Sequence, residues 1–432
     1  MELSLESAGT RRRVLAVAFA VTAILIFQAG KFWLANRRID SGNLALMKQG
    51  AALTPGNGEA WDHVGRYLQF DFANPNPSAA IKAYQKAVRD DPFSSYYWID
   101  LAGAYEDRGD ITHAQQAFEH AQAVYPISAL VAWNYGNFLI RRQEYSAGYS
   151  KIQQAVRTDP KLLPLAISRT WRSTENVDDL LNQALPADPE AYLQALTFFT
   201  SIHQPEAGLA VWHRLVSLGK PFAFTRTFPF LDELIADDRS VDVVRAWREA
   251  RAAAGLPQNG LTNHSLIWNG DFARNFANGG LGWRWDSPIG VSIGFDSPPP
   301  SQRGRAVRLD FSGGSNLALD MPAEYVPVEP SHAYHFHACI RVQDITTESG
   351  VQFSIIDPNH AGAVNVATDN LTGSRPWAAA DEEVVTSDKT HFLLVRLLRN
   401  PSRLFDNKLG GTAWIADISL VPSSMGTGES PQ

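Results

Sequence analysis

The sequence predicts a multidomain α plus β protein: an N-terminal transmembrane helix, an α-solenoid of helix–turn–helix repeats, and a C-terminal antiparallel β-sandwich. Three observations carry that prediction. An apolar run follows a basic cluster at the N-terminus. Prolines recur at a fixed spacing through the middle of the chain. The hydrophobic pattern then switches to alternation beyond Leu261.

Composition agrees. With 432 residues, 45% hydrophobic and 19% charged, the chain is that of a folded protein with room for about three domains of about 150 residues each. A net charge of −7 argues against nucleic acid as a partner, because neutralising phosphates calls for a basic surface. The single cysteine, Cys339, excludes an internal disulfide and any metal site built from cysteines alone. Twelve tryptophans are a surplus for this length, so their positions bear on function.

Arg11, Arg12 and Arg13 precede the apolar stretch Val14 to Phe27, interrupted only by Thr22. Fourteen helical residues reach about 21 Å, and extension through Phe32, Trp33, Leu34 and Ala35 reaches about 33 Å, enough for a hydrocarbon core of about 30 Å. Lys31 then snorkels and Trp33 sits at the interface. A cleaved signal peptide is the rival reading. It needs small residues at −3 and −1, whereas Phe27-Gln28-Ala29 and Trp33-Leu34-Ala35 each put an aromatic at −3. Residues 1–13 are therefore expected as a short tail and 14–35 as an uncleaved single-pass anchor. Arg11 to Arg13 argue for a cytoplasmic N-terminus, against Lys31, Arg37 and Arg38 on the other side. Both readings put the bulk of the chain outside the cytoplasm, in the periplasm or at the surface of a bacterium.

Across residues 40–255 a 34-residue period appears. Pro92, Pro126 and Pro160 are preceded five residues earlier by Ala87, Ala121 and Ala155, and eight residues earlier by Tyr84, Phe118 and Ile152. Small residues let paired helices approach, large ones fill the space beside them, and proline ends the second helix. The middle unit is complete: Trp98, Leu101, Ala102, Tyr105, Gly109, Ala114, Phe118, Ala121, Pro126. It resembles the tetratricopeptide repeat. The unit before it carries Trp61, Gly65, Leu68, Ala80 and Tyr84, with extra residues around Asn74-Pro75-Asn76-Pro77; the unit after it carries Trp133, Gly136, Leu139 and Gly148. Downstream, Leu181, Ala184 and Pro189 mark a shortened unit, Glu190 to Leu218 a degenerate one, and Phe228 to Arg251 a last helix pair.

The resemblance implies a protein-binding groove lined by the first helix of each unit. Its usual positions fall on Glu59, Asp62, Arg66 and Gln69, then Tyr96, Ile99 and Glu106, then Leu130, Trp133, Asn137 and Ile140. Among these only Arg66 and Asn137 match the family's clamp for a terminal carboxylate.

Gln258-Asn259-Gly260 reads as a linker. Beyond it, alternation over Ala306–Phe311, Tyr334–Arg341, Val351–Ile355, Phe392–Leu397 and Trp414–Leu420 predicts short strands of a β-sandwich over 261–424, with 425–432 as a flexible tail. The segment Leu266-Ile-Trp-Asn-Gly-Asp-Phe272 with Gly282-Trp283, and the closing Trp414-Ile-Ala-Asp-Ile-Ser-Leu-Val421, resemble the edges of jelly-roll carbohydrate-binding modules. The resemblance implies paired first and last strands and a structural calcium at Asp271 and Asp417, although Ala273 replaces a usual acid. No other cofactor is expected. Trp283, Trp285 and Trp377, in polar surroundings, are the candidate sugar platforms, while Trp268 and Trp414 are expected in the core.

His332, His335, His337 and Cys339 form a further cluster. On a strand His335 and His337 share a face about 7 Å apart, a spacing that can hold one metal ion; the third ligand would be Cys339, about 13 Å from His335, or a residue distant in sequence. A polar sheet face is the simpler reading. Asp381-Glu382-Glu383 lacks the paired spacing of a glycosidase, and no phosphate loop, nucleophile elbow or metalloprotease helix is present. The sequence thus points to a non-catalytic envelope scaffold, its repeats binding a protein and its sandwich binding polysaccharide or protein, near surface polysaccharide assembly or export. The alternatives are a purely protein-binding assembly factor and a glycosidase whose acid pair is not visible.

Overall fold

The computed structural model describes residues 8–71, 73–256, 265–300, 302–405 and 407–423. The linker at 258–260 and the tail at 425–432 lie outside the described residues. The chain divides into two compact units, Met1–Pro186 and Ala187–Gln432.

Among the described residues the first unit's regular structure is helical. α1 (Ala8–Ile39) is one continuous helix, long and apolar enough to cross a membrane, and its apolar stretch is not buried against the rest of the protein. It begins inside the expected tail and runs past the expected end at residue 35. Its last turns belong to the repeat array: Ala35 and Ile39 are buried, and a Cβ on Gly50 of α2 (Leu44–Leu53) would meet the Ala35 carbonyl at 2.7 Å. Helical pairs follow: α3 (Gly58–Phe70) with α4 (Pro77–Asp90), α5 (Ser95–Asp107) with α6 (Ile111–Val124), and α7 (Ala129–Arg141) with α8 (Tyr145–Thr158). α9 (Leu163–Thr174), α10 (Val177–Asp179) and a π turn over Leu180–Ala184 form the shortened unit.

Local chemistry sets these boundaries. Asn76 accepts from the Ala79 N–H ahead of Pro77, Asp110 from the His113 N–H and Ser128 from the Val131 N–H, so orphan donors at three helix starts are capped. The α5–α6 turn uses Gly109 at φ 80°. α4, α6 and α8 each stop just short of Pro92, Pro126 and Pro160. Tyr84, Phe118 and Ile152, the large residues of the period, are all buried, as are Ala87, Ala121 and Ala155. α7 and α8 touch through glycine: a Cβ on Gly148 would meet Ile140 Cγ1 at 2.8 Å and the Gly136 carbonyl at 3.0 Å.

The second unit joins four helices to two antiparallel sheets. α11 (Pro189–Ser201), α12 (Pro205–Ser217), α13 (Phe228–Ala236) and α14 (Ser240–Ala253) match the two degenerate pairs read from the sequence. The strands are β1 (Val291–Asp296), β2 (Ala306–Ser312), β3 (Ala323–Pro327), β4 (Ala333–Ile345), β5 (Gln352–Ile356), β6 (Asn365–Ala367), β7 (Gly373–Val385), β8 (Phe392–Leu398) and β9 (Gly410–Pro422). One sheet has the order β1-β2-β9-β4-β7 and the other β3-β8-β5-β6. Alternate residues of both, among them Leu309, Phe336, Ile340, Phe353, Val395 and Ile415, share one core.

One expectation changes here. Leu266–Phe272 is a run of turns rather than a first strand; Leu266 still donates to the Leu420 carbonyl and Ile418 to that of Gly270, so the segment lies along β9 without forming a ladder. A Cβ on Gly270 would stand 1.9 Å from the Ile418 oxygen, so only glycine permits that approach. The helices of the second unit also contact the segments that connect the strands. Asp232 of α13 accepts from Arg284 Nη2 at 2.5 Å, Asp238 after it lies 2.7 Å from His391 Nδ1 and accepts from Asn359 Nδ2 at 3.0 Å, and Arg251 of α14 covers the Trp268 ring at 3.2 Å.

Candidate functional site

The first helices of successive repeats are stapled by a polar ladder. Arg66 on α3 donates to Asp100 on α5 at 2.7 Å while holding Asp62 at 3.0 Å. Gln69 on α3 donates to Asp107 at 2.7 Å and accepts from the Tyr84 hydroxyl at 2.8 Å. Arg141 on α7 grips Glu106 on α5 with two bonds, at 2.6 and 2.7 Å. The candidate groove residues therefore divide. Asp62, Gln69, Asn137, Ile99 and Ile140 are buried and serve the array itself, against the expectation of an open binding face. Arg66 and Glu106 are engaged in the ladder. Glu59 and Trp133 lie outside that buried set, and Tyr96 and Leu130 are open.

Burial is the largest influence on the Asp62 carboxyl, followed by the Asp100 charge; both raise its pKa, Arg66 lowers it only partly, and the result is pushed up to about 7. One of its oxygens has no hydrogen-bond partner. Asp62 and Asp100 compete for a single guanidinium.

The array also carries an exposed apolar edge that the groove positions only partly include. Phe93 is 83% exposed and Ile127, thirty-four residues on, 68%; Tyr96 is 59% exposed and Leu130, again thirty-four on, 41%. They occupy the α4–α5 and α6–α7 turns and the first turns of α5 and α7. Equivalent positions of successive repeats line one edge of a stack.

In the sheet unit the tryptophans are distributed differently from expectation. Trp283 is 1% exposed, its ring 5.3 Å from that of Phe272, inside the core, and so presents no face to a sugar. The loop there is polar in sequence but folds over the sheets. Trp285 is partly buried against the same core. Trp377 is half-exposed on the edge strand β7. Trp414, expected in the core, is on the outer face of the five-stranded sheet, half-buried under the Arg341 guanidinium at 4.4 Å and donating to Asp296 at 2.8 Å. Trp268 is likewise half-buried, under Arg251.

That outer face also carries the histidine cluster. His335, His337, Cys339 and Arg341 point outward because Tyr334, Phe336, Ala338 and Ile340 fill the core. His335 Nδ1 lies 3.0 Å from Glu383 and His337 Nδ1 2.6 Å from Asp381, both across to β7. Asp417 is added by a bulge: between the pairs His337–Ser419 and Cys339–Ala416, two β9 residues oppose Ala338 alone, and Asp417 adopts φ 50°. His337, Cys339 and Asp417 are a group of metal-ligand type, whereas Asp271 is not a member of it and caps its own turn by accepting from the Ala273 N–H. His332 lies apart, with Nδ1 on the Pro330 carbonyl. Burial, then the Asp417 and Asp381 carboxylates, push the Cys339 thiol up.

A scan against protein-family models finds no match, and a search of curated proteins finds none. Among solved structures the chain is similar to one described as "Crystal structure of MamA", at 14% identity and a TM-score of 0.26, over 40% of this chain and 85% of that one.

Proposed function

We propose that this chain is a non-catalytic, membrane-anchored scaffold whose helical array docks a protein partner along its apolar edge. The observation that carries the reading is the pairing of Phe93 with Ile127 and of Tyr96 with Leu130 at the repeat spacing, exposed where burial would be worth about 1.5–3 kcal/mol per large side chain. Asp62, Arg66, Gln69, Glu106 and Asn137 of the groove are engaged within the chain, which favours this edge, with Trp133, as the docking face. α1 supplies the anchor, and its continuity into buried Ala35 and Ile39 ties the array to the bilayer without a flexible joint. On this reading the bulk of the chain is extracytoplasmic, and the outer sheet face, with Trp377 and Trp414 in place of Trp283, contacts polysaccharide or a second protein. The repeat-family and jelly-roll assignments belong to the same proposal.

A photoreactive residue at Leu130 of the full chain, in native membranes, tests the docking face. A single adduct of defined mass, lost when Phe93→Ser and Ile127→Ser are combined and absent from a probe at exposed Val241, is expected. Probes at Tyr96, Leu130 and Trp133 that all give no adduct overturn the reading.

A further inference from the structure

We propose that His337, Cys339 and Asp417 form a binding site for a divalent transition-metal ion of the zinc type on the outer face of the five-stranded sheet. The ligand atoms of the three lie within 4.8 Å of one another, with His337 Nε2 3.8 Å from Cys339 Sγ and 3.9 Å from Asp417 Oδ2. A tetrahedral ion with bonds of about 2.0–2.3 Å needs donor separations of about 3.5 Å; the two His337 separations are within a few tenths of an ångström of that, and Cys339 Sγ and the Asp417 carboxylate close to it by side-chain rotation from within 4.8 Å. The donor set of imidazole, thiolate and carboxylate suits zinc and its neighbours and does not suit calcium, which takes oxygen ligands.

Two features go beyond proximity. Asp381 Oδ1 lies 2.6 Å from His337 Nδ1. A carboxylate only accepts, so Nδ1 carries the proton and Nε2 offers its lone pair to the metal, the outer-shell arrangement that orients ligating histidines. The second is the β9 bulge. The bulge leaves Asp417 beside His337 and Cys339 with a left-handed backbone at φ 50°, maintained in a strand that otherwise runs unbroken from Gly410 to Pro422. Cys339 binds as the thiolate, its proton passing to solvent. Three protein ligands leave a fourth position for water or for a donor from a partner.

The test is titration of the purified full chain, in detergent and under reducing conditions, with Co²⁺ alone. Cys339 is the only cysteine, so a thiolate-to-cobalt charge-transfer band must come from it. One equivalent is expected to produce the band, Zn²⁺ to bleach it, and Cys339→Ser to abolish it. His337→Gln and Asp417→Asn are each expected to weaken Co²⁺ binding at least tenfold; Asn tolerates the left-handed backbone, so that variant keeps the strand. No band in the unmodified chain, a band that survives Cys339→Ser, or a band unaffected by both other variants overturns the site.

Discussion

Arg66 on α3 reaches Asp100 on α5, thirty-four residues further along the chain, with Nε and Nη2 each 2.7 Å from the same carboxylate oxygen. The same guanidinium holds Asp62 one turn before it on α3. One cation therefore serves two carboxylates, one of them buried, and the repeat period places them there.

The first prediction follows from that imbalance. Asp62 has its folded-state pKa pushed up to about 7, above the ordinary 3.8, so between those values the folded chain binds a proton that the unfolded chain has released. Stability contributed by the protonated form is present at low pH and is lost as pH rises through this window. The helical unit is expected to have a lower Tm at pH 8 than at pH 5.5, and Asp62→Asn, which cannot ionise, is expected to flatten the difference. Circular-dichroism melts of both chains across pH 5–8 check it; a parallel pH dependence in the variant counts against this origin.

The Glu106–Arg141 pair is bidentate but half-open, the Arg141 side chain being 49% exposed. Screening by solvent limits such pairs to about 1 kcal/mol or less. A double-mutant cycle of Glu106→Gln and Arg141→Met is expected to give a coupling of about 0.5–1 kcal/mol that falls in high salt.

Close helix contacts at glycine make a sharper prediction than the ion pairs do. Gly148→Ala adds a methyl group where Ile140 and the Gly136 backbone stand within 3.1 Å, and overpacking of this kind costs about 1–3 kcal/mol. The expected effect is a drop in the unfolding midpoint at unchanged slope. Gly30→Ala, with open space around it, is the control and is expected not to lower the midpoint.

Trp283 is a core residue, and truncating it to Ala is expected to cost about 3–5 kcal/mol of sheet-unit stability. Its indole N–H has no hydrogen-bond partner, so Trp283→Phe should cost much less. Trp377→Ala is expected to leave denaturant unfolding nearly unchanged. A loss of polysaccharide retention in Trp283→Ala would thus report unfolding, whereas loss in Trp377→Ala or Trp414→Ala, with the fold intact, would report contact.

Much of the fold was legible because its signals are local and periodic. The proline period, the alanines behind it and the alternation around Leu309, Phe336 and Ile415 each follow from what a helix hairpin or a half-buried strand must bury. β7 was missed because its outer face carries Asp381 and Glu383 and its inner face is an edge with few large apolar residues, so neither period stands out. The groove positions were legible as places along a helix. Their use was not, since Asp62 and Gln69 acquire their partners only when the next repeat packs alongside.

The sequence by itself determined the order of parts: an apolar N-terminal helix, paired helices every thirty-four residues, then strands around a core of alternating residues. Hydrophobic periodicity is written along the chain and needs no partner to be read. The tertiary structure decided which side chains meet across elements. Trp283 turns inward, Trp414 outward, and the α13 and α14 helices meet Arg284 and Trp268 of the connecting segments through Asp232 and Arg251. Asp417, seventy-eight residues beyond Cys339, is set beside it by the pairing of β9 with β4. Such contacts depend on register and on close packing between distant segments, and a single-residue shift moves a side chain to the opposite face of a sheet.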